Sequence, residues 1–371
     1  MTRVVIAPDK FKGSLTAVEA AEAIALGVRD ALPDADIVTC PVADGGEGTL
    51  DVLEAAGARI VRLTVRGPLE ESVHARYAVL DGTAYVESAR ACGIEFVDPS
   101  PATALAAHTW GVGELLADAL IHGAKRLVLT VGGTASTDGG AGMLGALGAG
   151  VLDAFGAPVG LGGGTLGRVA SAELAPVRER LDGVRVAVAT DVTNPLLGPE
   201  GAAAVFGPQK GAGPAEVAAL DEALGRWAHA LQVGGAPDVT RVPGAGAGGG
   251  VAAAAIALGA RVESGFDLIA GLTGVDRALA GADLVITGEG SLDEQSLNGK
   301  APAGIAERAR GIPLLVLAGR IQLDAAGLAR LGVVGSSALI DHAPSLDYAR
   351  AHAAELLRER AAALVRAWRE G

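Results

Sequence analysis

Lysine is scarce in this chain: of thirty Lys and Arg residues only five are lysine, namely Lys10, Lys12, Lys125, Lys210 and Lys300. A chain that uses arginine almost everywhere keeps lysine where a compact ammonium on a flexible stem is needed and a planar guanidinium does not fit. Those five positions are therefore the first candidates for chemistry. Aromatic residues are equally thin at 3%, and the hydrophobic half of the chain is dominated by alanine and valine. Such a composition argues against disorder and fits a compact α/β protein with small side chains at its helix contacts. Cysteine is almost absent. Cys40 and Cys92 stand in apolar surroundings with no CxxC and no metal-ligand spacing, which predicts buried reduced thiols and a reducing compartment.

No basic run opposes the formal net charge of −13, and this argues against nucleic-acid and anionic-membrane partners, because both need a cationic surface. A phosphate ligand needs only a local cationic pocket and stays open. The longest charge-free run, around residues 244–260, is mostly Gly and Ala, so no membrane span is expected. The opening MTRVVIAPDK reaches Asp9 and Lys10 before a signal-peptide hydrophobic region is complete, and a cytoplasmic location is expected. The six histidines show no HxH or HExxH spacing, which disfavours a zinc site or a Ser-His hydrolase. Nothing in the sequence sets an oligomeric state, and a homo-oligomer is compatible with it.

At 371 residues two domains are the natural expectation. Residues 3–7 read as a buried strand, 16–32 as an amphipathic helix opened by a Ser/Thr cap, and 35–42 as a second strand, a βαβ opening. A helix over 49–56 follows, and then short strands at 60–65, 73–79 and 84–87 interrupt the parallel pattern. The middle holds a helix over 113–121, a strand over 127–131, a Gly-rich helix from 139, a strand over 184–189 and a long helix over 215–231. From residue 283 the alternation resumes, with strands at 284–287, 314–318 and 333–336 and helices at 303–309, 325–329 and 346–368. The predicted fold is α/β with two domains. Residues 1–65 and 283–371 form a doubly wound, flavodoxin- or Rossmann-like parallel-sheet domain. It is interrupted by an inserted α/β domain, 66–282, with Gly-rich loops, and a cleft between the two is the expected place for a reaction.

Chemistry-bearing residues collect where strands end. PDKFKGSLT places Lys10 and Lys12 past the carboxyl edge of the first strand, where open α/β sheets bind ligands, and before a helix start that favours anions. PVADGGEGT places Asp44 and Glu47 around Gly45 and Gly46 at the next strand-to-helix turn, suited to Mg2+ or to a polyol hydroxyl. GGTASTDGGAG, residues 132–142, offers Gly132, Gly133, Thr134 and Ser136 as a phosphate cradle with Asp138 in its middle. It lacks the Gly-Lys-Ser or Gly-Lys-Thr of a Walker A loop. ATDVTNPLLG supplies Asp191 and Asn194, and FGPQKG supplies Lys210; together these are the base, amide and cation that phosphoryl transfer uses. PGAGAGGG, with Gly244, Gly246, Gly248 and Gly249, formally matches a dinucleotide fingerprint. A proline stands where its strand should run and no acid follows at the required distance, so close packing or approach to a nucleotide is the better account. TGEGSLDEQSLNGK adds Glu289, Asp293, Ser296 and Lys300 at the edge of the same predicted sheet as Lys10 and Asp44.

Taken in order along the whole chain, PDKFKGSL, PVADGGEGT, GGTASTDGGAGML, ATDVTNPLLG, FGPQKG, PGAGAGGG and ITGEGSLDEQSLNGK resemble the motifs of the type I glycerate kinase family. The resemblance implies Mg2+-dependent transfer of the ATP γ-phosphate to D-glycerate, with 2-phosphoglycerate favoured over 3-phosphoglycerate as product, on a two-domain α/β fold with an inserted domain. Family members often carry PDSYK or PDSFK where this chain has PDKFK, so Lys12 aligns with the recurrent lysine. They often carry an Arg-Gly-Thr-Gly-Glu segment where this chain has Trp110 to Glu114. From residue chemistry, Asp191 is expected to be the base or a metal ligand, with Asp138, Glu289 and Asp293 competing for Mg2+. Lys12, Lys210 and Lys300 are expected to neutralise phosphate and carboxylate charge. Lys10, Asp44, Gly45, Gly46, Glu47, Gly132, Gly133, Thr134, Ser136, Asn194, Gly246, Gly248 and Ser296 are expected to contact substrate or nucleotide.

Overall fold

Short runs rich in valine, isoleucine and leucine, bounded by turn residues, become strands because such side chains pack well on a pleated surface buried on both faces. The computed structural model describes residues 1–297 and 301–370. Its strands are β1 (Arg3–Ile6), β2 (Asp36–Thr39), β3 (Arg59–Arg66), β4 (Ser72–Leu80), β5 (Thr83–Glu87), β6 (Arg126–Thr130), β7 (Gly150–Asp153), β8 (Val169–Glu173), β9 (Arg185–Ala189), β10 (Arg261–Glu263), β11 (Leu284–Leu292), β12 (Leu314–Ile321) and β13 (Val333–Ala338). The chain divides into two compact units.

The first unit comprises residues 1–44, 51–56 and those from 265 onward. Its sheet has the order β13-β12-β11-β1-β2, with every pairing parallel. Counted along the chain within this unit, that order is 2-1-3-4-5, the flavodoxin-like doubly wound arrangement, and its switch point lies between β1 and β11. Alternate side chains serve opposite faces. Val4, Ile6, Leu284 and Ile286 pack with helices Ala17–Ala31 and Ala353–Glu370, whereas Val5, Ala7, Val285 and Val316 pack with Phe266, Val275 and Ile305. Thr16 starts the first helix with a capping box to Glu19, worth about 1 kcal/mol.

The second unit comprises residues 45–50 and 57–264. Its six-stranded sheet runs β10-β9-β6-β5-β4-β3. The four strands from β10 to β5 are parallel, and β4 and β3 complete an antiparallel meander. A separate hairpin joins β7 and β8; these short strands were not foreseen from sequence. Tyr77, Leu115, Leu127, Leu129 and Trp227 anchor the core. Cys40 and Cys92 are free and buried, and among the described residues no helix is long and apolar enough to cross a membrane.

The unit boundaries differ from lines drawn at 65/66 and 282/283. Strand β3 pairs along its whole length with β4, which carries residues 59–66 into the second unit. Helices Gly265–Thr273 and Val275–Leu279 bury Phe266, Ala270 and Val275 against Val5 and Val285, which carries them into the first. In both places the packing partner, distant along the chain, decides the membership.

Candidate functional site

In the first unit the backbone of β1 continues past its last strand residue alongside β11, as Asp9 N–H donates to Gly288 O at 2.8 Å. Asp9 thus sits at the carboxyl edge, at the switch point, and is only 6% exposed. Burial first, then the neighbouring charges of Asp44 and Glu289, push its carboxyl up to about 7, against the lowering effects of Lys10 and of the Lys10 N–H. Lys10 is half-buried and Lys12 exposed. On β11, Glu289 is buried and accepts a hydrogen bond from the Ser296 hydroxyl. Ser296 and Asp293 cap one another, with Asp293 N–H donating to Ser296 Oγ at 3.0 Å and Ser296 N–H to Asp293 Oδ1 at 3.3 Å. The structure therefore brings Lys10, Asp44, Glu289, Asp293 and Ser296 to one sheet edge. Lys300 lies outside the described residues.

In the second unit the register sets Glu87, Thr130, Ala189 and Glu263 side by side at the ends of β5, β6, β9 and β10. The loops that follow carry the other expected residues. Gly132 and Gly133 are exposed at the lip of the loop after β6, and a Cβ on Gly132 would lie 3.1 Å from Gly46 Cα. The segment of Gly45, Gly46 and Glu47 is thus brought against the 132–142 loop. Thr134 and Ser136 are buried beneath that lip. Asp138 is placed as the organiser of the loop: its carboxylate accepts hydrogen bonds from Thr109 N–H and Oγ1, Gly140 N–H and Gly142 N–H, at 2.8–3.1 Å.

Lys210 is 2% exposed and donates to Ser136 O. Desolvation pushes its pKa down to about 8, with Cys92 and Asp138 acting in the opposite direction. The PGAGAGGG glycines serve close packing. Gly246 N–H donates to Asn194 O at 3.0 Å and Gly139 N–H to Gly249 O at 3.0 Å, while a Cβ on Gly248 would lie 2.9 Å from the Val131 side chain. Asn194 donates through Nδ2 to Glu200 O at 2.8 Å. Asp191 is half-buried just beyond β9. Lys125 is exposed ahead of β6, away from the carboxyl edge.

Two residues of these edges were missed in the sequence. Asp9 was passed over although it precedes Lys10 at the same strand end, and that position was the available signal. Glu87, 1% exposed, accepts from Leu50 N–H at 2.8 Å and from Arg90 Nε at 2.7 Å, so it holds the turn after Glu47 to the end of β5. Its burial is a tertiary fact with no local marker. The Trp110 to Glu114 segment opens helix Trp110–Ile121, and Glu114 accepts from Trp110 Nε1 at 3.0 Å and Arg66 N–H at 2.7 Å. That glutamate organises the helix start.

Residues 4–369 match the Glycerate kinase family. A glycerate kinase of Bacillus subtilis (strain 168) is 41% identical over 365 residues, covering 97% of this chain and 96% of that protein. The glycerate 2-kinase of Escherichia coli (strain K12) is 41% identical over 353 residues, covering 94% and 93%. A crystal structure from Salmonella typhimurium LT2, assigned as glycerate kinase 2, superposes with a TM-score of 0.84 at 40% identity and covers 100% of this chain and 99% of that one. On a match that runs through every loop described above, this chain belongs to the glycerate kinase family.

Proposed function

We propose that this chain transfers the γ-phosphoryl group of ATP to a hydroxyl of D-glycerate with the aid of Mg2+, forming 2-phosphoglycerate in preference to 3-phosphoglycerate, in the cytoplasm. The observation that carries the reading is the group at the switch point of the first unit: Asp9 is buried beside Lys10 and feels the charges of Asp44 and Glu289, on the edge where open α/β sheets bind ligands. The preference for the 2-phosphate is supported by the name of the Escherichia coli relative.

Phosphoryl transfer asks the protein for positioning and charge stabilisation more than for covalent chemistry. Among the described residues no three of His, Cys, Asp and Glu could hold a metal ion unaided. Mg2+ is ordinarily held by one or two carboxylates together with phosphate oxygens and water. The carboxyl of Asp9, raised by burial and then by its acidic neighbours, is the kind of donor that a divalent cation relieves. Asp9 with one of its neighbours Asp44 and Glu289 would hold the ion together with phosphate oxygens, and it would neutralise phosphate charge there. Ser296 keeps Glu289 in one orientation, and Asp293 keeps Ser296 in place. Lys10 and Lys12 supply positive charge for the glycerate carboxylate and the phosphates, with Lys300 in the same role. Asp191 accepts the proton of the attacking hydroxyl.

Phosphorus NMR of the purified chain with ATP, Mg2+ and D-glycerate should show ADP and 2-phosphoglycerate growing together. Formation of 3-phosphoglycerate would overturn the choice of hydroxyl, and absence of ADP would overturn the activity. Asp191→Asn should lower kcat on the order of 10²-fold; turnover near that of the wild type removes Asp191 from the base role.

A further inference from the structure

Beside the ends of β11 and β12, wholly within the first unit, a cavity of about 490 Å3 opens. One wall is apolar, built from Phe11, Leu339 and Leu346 with the small side chains of Ala349 and Ala353 between them. The other lining side chains of note are Lys12, Arg320 and Arg350, all exposed. Among the described residues none of these three takes part in an ion pair, and no Asp or Glu lines the cavity. In a chain with a formal net charge of −13, three unpaired cations at one opening are a concentrated positive field. The floor carries no side chains, because it is made by Gly290 and Gly319. A Cβ on Gly290 would fall 2.9 Å from the Lys12 backbone nitrogen, and one on Gly319 would fall 2.5 Å from Gly290 O. The 10–13 segment thus lies directly across the strand end.

Three cations call for a polyanion, and planar guanidinium groups suit phosphate oxygens in particular. The apolar wall calls for a flat, weakly polar group carried by the same molecule. Glycerate has one carboxylate and no such group, whereas a nucleoside triphosphate has both parts, and the volume lies within the range of small-molecule sites. We propose that this cavity seats ATP, with the adenosine against Phe11, Leu339 and Leu346 and the triphosphate toward Lys12, Arg320 and Arg350. Glu289 immediately precedes Gly290 on β11, so a triphosphate running along this floor delivers its terminal phosphate to the acid and lysine edge around Asp9. The assignment rests on the kinase reading and adds to it the unit and the surface that receive the nucleotide.

The test uses the full-length protein in three measurements: calorimetric titration with ATP, photolabelling with 8-azido-ATP, and steady-state kinetics. Arg320→Ala and Arg350→Ala alter exposed side chains, and each should raise the dissociation constant for ATP roughly tenfold. The double variant should raise it on the order of 100-fold, with its melting temperature and the KM for D-glycerate close to wild type. The label should be recovered in peptides holding residues 11–14 or 346–353. Unchanged ATP affinity in the double variant, label confined to residues 57–264, or no ATP binding by the wild type overturns the proposal. If the double variant loses ATP binding while the wild type makes no phosphoglycerate, the cavity assignment stands and the glycerate kinase reading falls. If glycerate is phosphorylated and the double variant keeps its KM for ATP, the reading stands and the assignment falls.

Discussion

The buried ammonium of Lys210 donates its hydrogen bond to the main-chain carbonyl of Ser136, tying the turn Pro208–Lys210 to the glycine-rich loop after β6. Burial lowers the pKa of Lys210 from 10.5 to about 8, so between those values the folded state binds fewer protons than the unfolded state. Stability then rises with pH across that window. Lys210→Met keeps the stem and removes the charge, so urea unfolding of the variant between pH 8 and 10 should show a flatter rise than the wild type. An identical slope in the two proteins would mean that Lys210 is not the group responsible.

Gly249 packs against the same carbonyl. Its φ is +67°, and a Cβ there would lie 2.0 Å from Ser136 O and 2.9 Å from Lys210 Nζ. Gly249→Ala should therefore destabilise the protein by about 3 kcal/mol, through both the left-handed backbone and the overlap. Thermal unfolding checks this, with the half-buried Gly167→Ala, whose Cβ meets nothing within 4 Å, as the control that should change little.

Asp138 accepts four hydrogen bonds from Thr109, Gly140 and Gly142. Asp138→Ala should leave buried N–H groups unpaired and lower stability by roughly 2–4 kcal/mol, by the same amount with and without Mg2+. A loss of stability seen only in the presence of Mg2+ would instead return Asp138 to the role of metal ligand.

Asp9 titrates in the opposite sense from Lys210. Its folded pKa is raised from 3.8 to about 7, so the folded state binds more protons in that interval and stability falls as pH rises through it. Asp9→Asn should flatten the fall and be the more stable protein at pH 8 without divalent cations, by on the order of a few kcal/mol. Added Mg2+ should raise the melting temperature of the wild type more than that of the variant. A variant less stable than the wild type at pH 8 without Mg2+ would contradict this account of the edge.

Much of the first unit was legible because its signals are local. The apolar run of β1, the Thr16 cap and the renewed alternation after residue 283 each report on residues a few positions apart. The hairpin of β7 and β8 was not legible, since segments of four and five residues carry too little periodicity to stand out. Helices Gly265–Thr273 and Val275–Leu279 fall in the first compact unit, although a line at 282/283 leaves them in the second domain, for a related reason. An apolar helix face shows that it will be buried, and only its partner shows in which core.

The lysines divide along the same line. Composition and motif order by themselves determined the α/β class, the family, and the strand ends at which chemistry collects. Lys12 and Lys210 looked alike in that view, each an ammonium among turn residues. Tertiary structure alone decided that Lys12 stands exposed at the mouth of a cavity while Lys210 is sealed against Ser136 and Gly249. It also decided that Asp9, unremarked beside Lys10, is the crowded acid of the switch point. Burial and charge crowding are set by residues such as Asp44 and Glu289 that are distant along the chain, and only folding brings their fields to one place.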